Sequence, residues 1–289
     1  MTALTRVRDY YELSKPRIIA LLLVTTAASM VMAARGLPPP VLVFWTLLAG
    51  ALAAASAGAF NCVWDADIDR VMKRTQDRPI PAGRISRRAG TVYAVLAGAL
   101  SFGLFYLFVD PLAAWLSLAG NAYYVGIYTM WLKRITPLNI VIGGAAGSVP
   151  PLVGWAAVTN HLGGPALGLF ALIFLWTPPH FWSLALMTET DYGKANIPML
   201  PNVCGRERTK REIVYYSLLL VAASLVLYPL HVMGALYFGA AAVLGGIFIL
   251  DAWRTWRERN GTIAARKLFR FSLVYLALMC AVMVIDRVL

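Results

Sequence analysis

With 289 residues, 60% of them hydrophobic and only 14% charged, the chain holds far fewer charges than an ordinary soluble domain, which carries about 25%. Its formal net charge of +12 would suit a nucleic-acid surface only if the basic residues gathered on one polar face. They lie instead between long apolar runs, which excludes nucleic acid and marks a polytopic membrane protein.

A helix needs about 20 apolar residues to cross a hydrocarbon core. Runs of that kind fall at 18–34, 41–62, 89–109, 111–132, 139–158, 166–187, 213–233, 234–253 and 269–288. The expectation is an all-α bundle of nine transmembrane helices forming a single domain over 1–289, since no polar segment is apolar enough to build a core of its own.

Where the charge sits gives the orientation. Arg6, Arg8, Lys15 and Arg17 precede or open the first run. Arg70, Lys73, Arg74, Arg78, Arg84, Arg87 and Arg88 follow the second, and Lys133 and Arg134 follow the fourth. Lys194, Arg206, Arg208, Lys210 and Arg211 come after the sixth, and Arg254, Arg257, Arg259, Arg266, Lys267 and Arg270 after the eighth. Only Arg35 and Arg287 fall elsewhere. The positive-inside bias therefore places the N-terminus and these loops in the cytoplasm and the C-terminus opposite, in a cell inner membrane. The N-terminal arm is short and carries Asp9 and Glu12, unlike a mitochondrial transit peptide. Cleaving the first run as a signal peptide would invert every later loop, so it is expected to stay. Cys62, Cys204 and Cys280 have no CxxC spacing, so neither a disulfide framework nor a zinc site is indicated.

Two long loops carry the chemistry. The first opens NCVWDADIDRVMKRTQDR from Asn61. On an α-helix Asn61, Asp65 and Asp69, four residues apart, share one face. An amide and two carboxylates on one face suit Mg²⁺, which takes one or two carboxylates and fills its octahedron with water and phosphate oxygens. Asp67 points away from that face, and Asp77 has no assigned role. A calcium loop is set aside, because Arg70 stands where such a loop needs Gly and Gln76 where it needs Glu. The competing reading is a solvated helix end, although carboxylates at the C-terminal end of a helix oppose its dipole. Lys73, Arg74 and Arg78 follow at once, and Lys133 and Arg134 close the fourth run. Lys73, Arg78 and Lys133 are candidates to neutralise a diphosphate, while positive-inside anchoring explains many such cations by itself.

The second loop reads MTETDYGKANIPMLPNVCGRE from Met187. Asp191 is a candidate for a second magnesium and Lys194 for phosphate. The fifth run holds Gly143, Gly144, Gly147, Gly154, Pro150 and Pro151, and the sixth holds Thr177, Pro178, Pro179 and His180. Both runs are expected to kink or break at their prolines, with a packing seam of small residues as the alternative. His180 is a candidate haem contact, since a histidine inside a span faces protein by default; an interhelical hydrogen bond is the plainer reading. Trp115 and Tyr128 read as interfacial aromatics, and His161 and His231 receive no role.

These residues give the chain a resemblance to the UbiA-type intramembrane prenyltransferases, and within them to the branch that farnesylates haem. It covers essentially the whole chain: KPR at Lys15, N-x3-D-x3-D at Asn61, KRTQDRPIPAGRIS at Lys73, YTMWLKRITPLNIVIGGAAGSVPP at Tyr128, TPPHFW at Thr177 and DYGKANIPMLP at Asp191. The resemblance implies magnesium as cofactor, farnesyl diphosphate and haem B as substrates met in the lipid, and haem O as product. Haem A synthase or terminal-oxidase assembly factors are implied partners. One departure stands out. Many such proteins carry a second D-x3-D, whereas here Ala195 follows Asp191 by four, leaving Glu189 or Asn196 as possible replacements. The alternatives are prenyl transfer to a quinone or chlorophyll precursor and, in another class, a membrane transporter or haem-carrying chaperone.

Overall fold

A computed structural model describes residues 3–289. Every regular element among them is helical: α1 Ala3–Leu13, α2 Pro16–Ala34, α3 Pro40–Trp64, α4 Ala66–Val71, α5 Arg87–Phe108, α6 Pro111–Ala122, a π-helical segment Tyr123–Leu132, α7 Lys133–Ile135, α8 Asn139–Thr159, α9 Gly164–Met187, α10 Glu189–Lys194, α11 Leu200–Cys204, α12 Arg206–Val226, α13 Ala235–Arg257 and α14 Ile263–Val288. Local chemistry sets several starts. Pro16, Pro40 and Pro111 sit in first turns, where a missing N–H costs nothing. The Ser86 and Asp110 side chains accept the Ala89 and Ala113 amides at 3.1 and 3.0 Å.

Seven of these helices, α2, α3, α5, α8, α9, α13 and α14, are long and apolar enough to cross a membrane. The chain is a multi-pass membrane protein, but seven is fewer than the nine expected. The difference arises at two places. The run 111–132 changes winding at Tyr123, so that α6 alone is only 12 residues. The run 213–233 belongs to α12, which begins in the charged stretch Arg206–Glu212 and ends at Val226.

The helices close a ring. Neighbours pack in the order α2, α3, α5, α6, α8, α9, α12, α13, α14, and α14 returns to α2, while α2 also lies along α8. The α2–α8 approach depends on Gly154: a Cβ there would stand 2.3 Å from the Thr26 carbonyl oxygen. Gly144 meets Thr177 of α9 in the same way, at 3.0 Å. The seam reading of the fifth run is what the structure shows. The expected breaks are absent, since α8 continues through Pro150 and Pro151 and α9 through Pro178 and Pro179. Hydroxyls donate to carbonyls near the prolines, Ser29 to Pro151 at 2.6 Å, Thr177 to Ile173 at 2.7 Å and Ser183 to Pro179 at 2.6 Å.

Three buried clusters fill the ring. The largest joins α8, α9 and α12–α14 around Leu169, Trp182, Phe248 and Tyr275. A second, around Leu13, Ala59, Ile80 and Ala94, seats α1 and the first long loop against α3 and α5. That loop is also pinned electrostatically, with Arg84 reaching Asp9 at 2.7 Å and Glu12 at 3.0 Å on α1. The third, with Phe105 and Val153, lies between α5, α6 and α8.

Candidate active site

The backbone barely breaks between α3 and α4. Asp65 is the joint, yet its amide still bonds the Asn61 carbonyl at 2.9 Å and the Asp69 amide bonds the Asp65 carbonyl at 2.8 Å. The helical register therefore passes through, and Asn61, Asp65 and Asp69 all come out buried at 4%, 0% and 2% exposure. Asp67, out of phase, has a side chain 54% exposed.

Each buried acid has a cation. Asn61 Nδ2 donates to Asp65 Oδ2 at 2.7 Å and to Thr129 Oγ1 at 3.2 Å, while its Oδ1 accepts from Lys15 Nζ. Lys133 Nζ donates to Asp65 Oδ2 at 2.5 Å and Arg78 Nη1 to Asp69 Oδ2 at 2.7 Å. Arg134 grips Asp67 through two hydrogen bonds of 2.9 and 2.8 Å. That fork holds the Asp67 carboxyl down to about 2, while burial of the Arg78 guanidinium opposes its charge and is outweighed by Asp69, leaving it raised.

One oxygen is left over. Asp65 Oδ1 is fully buried and accepts no hydrogen bond, with Arg134 Nη2 3.7 Å away. A buried anionic oxygen without a partner is costly, and a hard cation satisfies it. The donor set fits magnesium in chemistry: oxygen ligands, one or two carboxylates, and cations alongside to meet phosphate. It is not a closed protein cage. Among the described residues no three His, Cys, Asp or Glu side chains converge on a metal-sized position, so a metal here would complete its shell with water or substrate oxygens.

The other expected residues divide. Lys73 is exposed and has no ion pair among the described residues. Asp191 is half-buried in α10, with no bond to its carboxylate among the described residues. Lys194 is exposed, yet it lines a cavity of about 310 Å³ with Asp67, Arg134 and Asn196, so the two long loops meet beside the acidic face. Glu189 is occupied elsewhere, paired with Arg206 at 2.8 Å. Tyr128 is not interfacial: its ring covers Gly143, where a Cβ would lie 2.2 Å from Cδ2.

His180 lies apart, between α9 and α14. Its ring stacks on Trp176 at 4.2 Å and on Phe269 at 4.7 Å. Nδ1 is 2.7 Å from Ser272 Oγ, whose own hydroxyl donates to the Phe269 carbonyl at 2.7 Å. The hydroxyl proton is thus committed, Nδ1 must be the donor, and Nε2 keeps its lone pair free.

Three site residues had no assigned role in the sequence: Lys15, Thr129 and Arg134. Lys15 precedes Pro16 with φ +58°, a left-handed backbone that is strained for lysine. Burial lowers its pKa, with Asp69 and Asp65 pulling the other way. The signals the sequence offered were a lysine abutting the proline that opens a span and the KPR segment of the family resemblance. Thr129 lies in the π-helical segment. In a π-helix, bonded i to i+5, residues four or five apart align, and Thr129 and Lys133 both face Asn61 and Asp65.

Buried carboxylates matched by cations at one end of a ring of membrane-length helices are an arrangement whose chemistry suits a metal-bound polyanion. The chain belongs to the UbiA prenyltransferase family, whose pattern matches residues 22–274. It is 54% identical over 280 residues to a protein of Synechocystis sp. named Protoheme IX farnesyltransferase, covering 96% of this chain and 89% of the relative. A protein of the same name from Gloeobacter violaceus is 52% identical over 282 residues, covering 98% and 92%. Among solved structures, a digeranylgeranylglyceryl phosphate synthase superposes with a TM-score of 0.80 over 98% of this chain and 99% of that one at 18% identity. An Archaeoglobus fulgidus UbiA homologue bound to DMAPP and Mg²⁺ gives 0.68, at 17% identity over 95% and 99%. At that identity the likeness is one of fold.

Proposed function

We propose that the chain transfers the farnesyl group of farnesyl diphosphate to a vinyl group of haem B, giving haem O and diphosphate. The observation that carries the acceptor is near-full-length identity above 50% to relatives named for that reaction. The diphosphate half rests on Asp65, whose buried Oδ1 lacks a hydrogen-bond donor, on a helix face where Lys133 and Arg134 meet Asp65, Lys15 meets Asn61 and Arg78 meets Asp69.

Magnesium, when bound, would supply Lewis-acid charge to the leaving diphosphate, and Asn61, Asp65 and Asp69 would hold it, with Asp191 assisting. The chain's own task is to move cations from carboxylate to phosphate. Lys133 and Arg78 neutralise the carboxylates of Asp65 and Asp69 before substrate arrives and serve the leaving oxygens afterwards, with Lys194 and Lys73 nearer solvent. The farnesyl C1–O bond breaks and diphosphate leaves. The allylic cation is attacked by the terminal vinyl carbon, forming a C–C bond. Water adds to the resulting cation and loses a proton, leaving the hydroxyethyl carbon. Helices that exclude water until that step prevent the allylic cation from being quenched early. His180 is the haem-side residue, with its free Nε2 offered to the iron or to a porphyrin edge.

In the membrane, α6 with the π-helical segment, and α12, add two crossings to the seven, which restores nine and puts every basic loop in the cytoplasm of an inner membrane. The test is purified protein with magnesium, labelled farnesyl diphosphate and haem B, read by chromatography of the haem. Farnesylated haem is expected. None from folded protein sinks the assignment, and label on an aromatic acid offered in place of haem redirects it to quinone precursors.

A further inference from the structure

Asp67 looked idle in the sequence, outside the metal face. The structure gives it a task. Arg134 commits both outer nitrogens to it, Nη1 to Oδ2 at 2.9 Å and Nη2 to Oδ1 at 2.8 Å, and Nη2 also reaches the Trp64 carbonyl at 3.3 Å. A guanidinium held end-on in this way loses the rotational freedom of a surface arginine. What remains is Nε, whose hydrogen is buried and has no acceptor. The same guanidinium stands 3.7 Å from Asp65 Oδ1, which is buried and has no donor.

A spare donor and a spare acceptor thus lie side by side on a pair of oppositely charged residues. The donor suits an anion and the acceptor suits a cation. A diphosphate arriving with its divalent cation brings one of each. A cavity lined by Asp67, Arg134, Lys194 and Asn196 borders the pair and joins the first long loop to the second.

We infer that Asp67 is a positioning residue for the prenyl diphosphate, holding Arg134 so that its Nε meets a diphosphate oxygen beside Asp65. This rests on the reading of Asp65 as the diphosphate end of the site. Asp67 itself touches neither metal nor substrate, because both its oxygens are taken by Arg134.

The test is calorimetric binding of inorganic pyrophosphate with Mg²⁺ to the full chain in detergent, alongside turnover. Asp67→Asn keeps the shape and removes the charge. It is expected to weaken pyrophosphate binding about tenfold, the loss of one charge-assisted contact, and to raise KM for farnesyl diphosphate by a similar factor. KM for haem and kcat should stay near wild type, and Asp67→Glu should recover part of the loss. A pair that merely ties α4 to α7 would be restored by exchanging its charges, Asp67→Arg with Arg134→Asp. A positioning pair would not, because the cation then sits on the wrong helix. Unchanged binding in Asp67→Asn, or full binding in the exchanged pair, overturns the inference. Wild-type protein that binds no magnesium pyrophosphate overturns the diphosphate reading itself, and wild type that binds it but farnesylates no haem sinks the acceptor alone.

Discussion

The two long loops begin alike, an apolar helix running into acids and then bases, yet the structure treats them differently. In the first, Asn61, Asp65 and Asp69 are buried, and both carboxylates are matched by a cation within 2.7 Å. In the second, Asp191 is half-buried and unbonded, and Glu189, 31% exposed, forms an ordinary ion pair with Arg206. The difference comes from the backbone. A helix that continues through Asp65 carries its acids inward with it, and burial then demands compensation. Beyond α9 the chain turns at Thr188 and again at Ala195 into short helices, so acids there reach water and nothing needs to meet them. Burial with forced pairing, more than acidity, is what supports the proposal that the first loop is the reacting end.

That contrast makes graded predictions. Asp65→Ala removes the buried oxygen that lacks a partner, and turnover should fall by about 10³ or more, beyond the loss of a single electrostatic donor. The variant should still purify as a helical membrane protein. Activity within tenfold of wild type would break the assignment of the first loop.

Lys133→Met should cost about 10² in turnover. It also leaves Asp65 short of its main cation, so thermal unfolding in detergent should shift down, in line with the several kcal/mol typical of a broken buried pair. If magnesium restores part of that stability, the carboxylate and the metal are linked in the way the site requires. If magnesium leaves the melting point unmoved, Lys133 serves structure alone.

On the acceptor side, His180→Phe keeps the stack on Trp176 and Phe269 but removes Nε2. KM for haem should rise about tenfold, the scale of one lost ligand or hydrogen bond, with KM for farnesyl diphosphate unchanged. An equal rise in both constants would mean that His180 only packs α9 against α14.

How much of this could be read from the sequence follows the same physics. Hydrophobic runs locate the seven clear spans, and four-residue spacing locates the acidic face, because both signals are local. The start of α14 at Ile263, six residues before the apolar run at 269, was hidden because Arg266, Lys267 and Arg270 end a hydropathy signal without ending a helix. The π-helical turn was hidden for the opposite reason: Tyr123–Leu132 is apolar and reads as uniform helix, although it is wound differently and carries Thr129, which bonds Asn61. The prolines of α8 and α9 suggested breaks because each removes a backbone N–H, while the sequence does not show the close packing of α8 on α2 and α9 within which both helices run on. Lys15 and Arg134 needed the third dimension, since their partners lie 46 and 67 residues away.

Asp191→Asn should lower turnover only a few-fold, since nothing in the fold forces that carboxylate toward Asp65. A loss matching Asp65→Ala would make the second loop an equal half of the metal site.

The smallest effect belongs to Glu189→Gln. Arg206, which Glu189 holds, also donates to the Gly261 carbonyl at 2.8 Å and lies 3.4 Å from that of Leu186, so it staples the end of α9 to the turn before α14. Losing one half-exposed ion pair from that staple should cost under about 1 kcal/mol of stability and leave kcat and both KM values unaltered. The measurement is a melting curve beside a full kinetic set. A kinetic defect without a stability change would mean that Glu189 replaces the carboxylate missing at Ala195. The second loop would then be a metal site assembled only when substrate draws Glu189 away from Arg206.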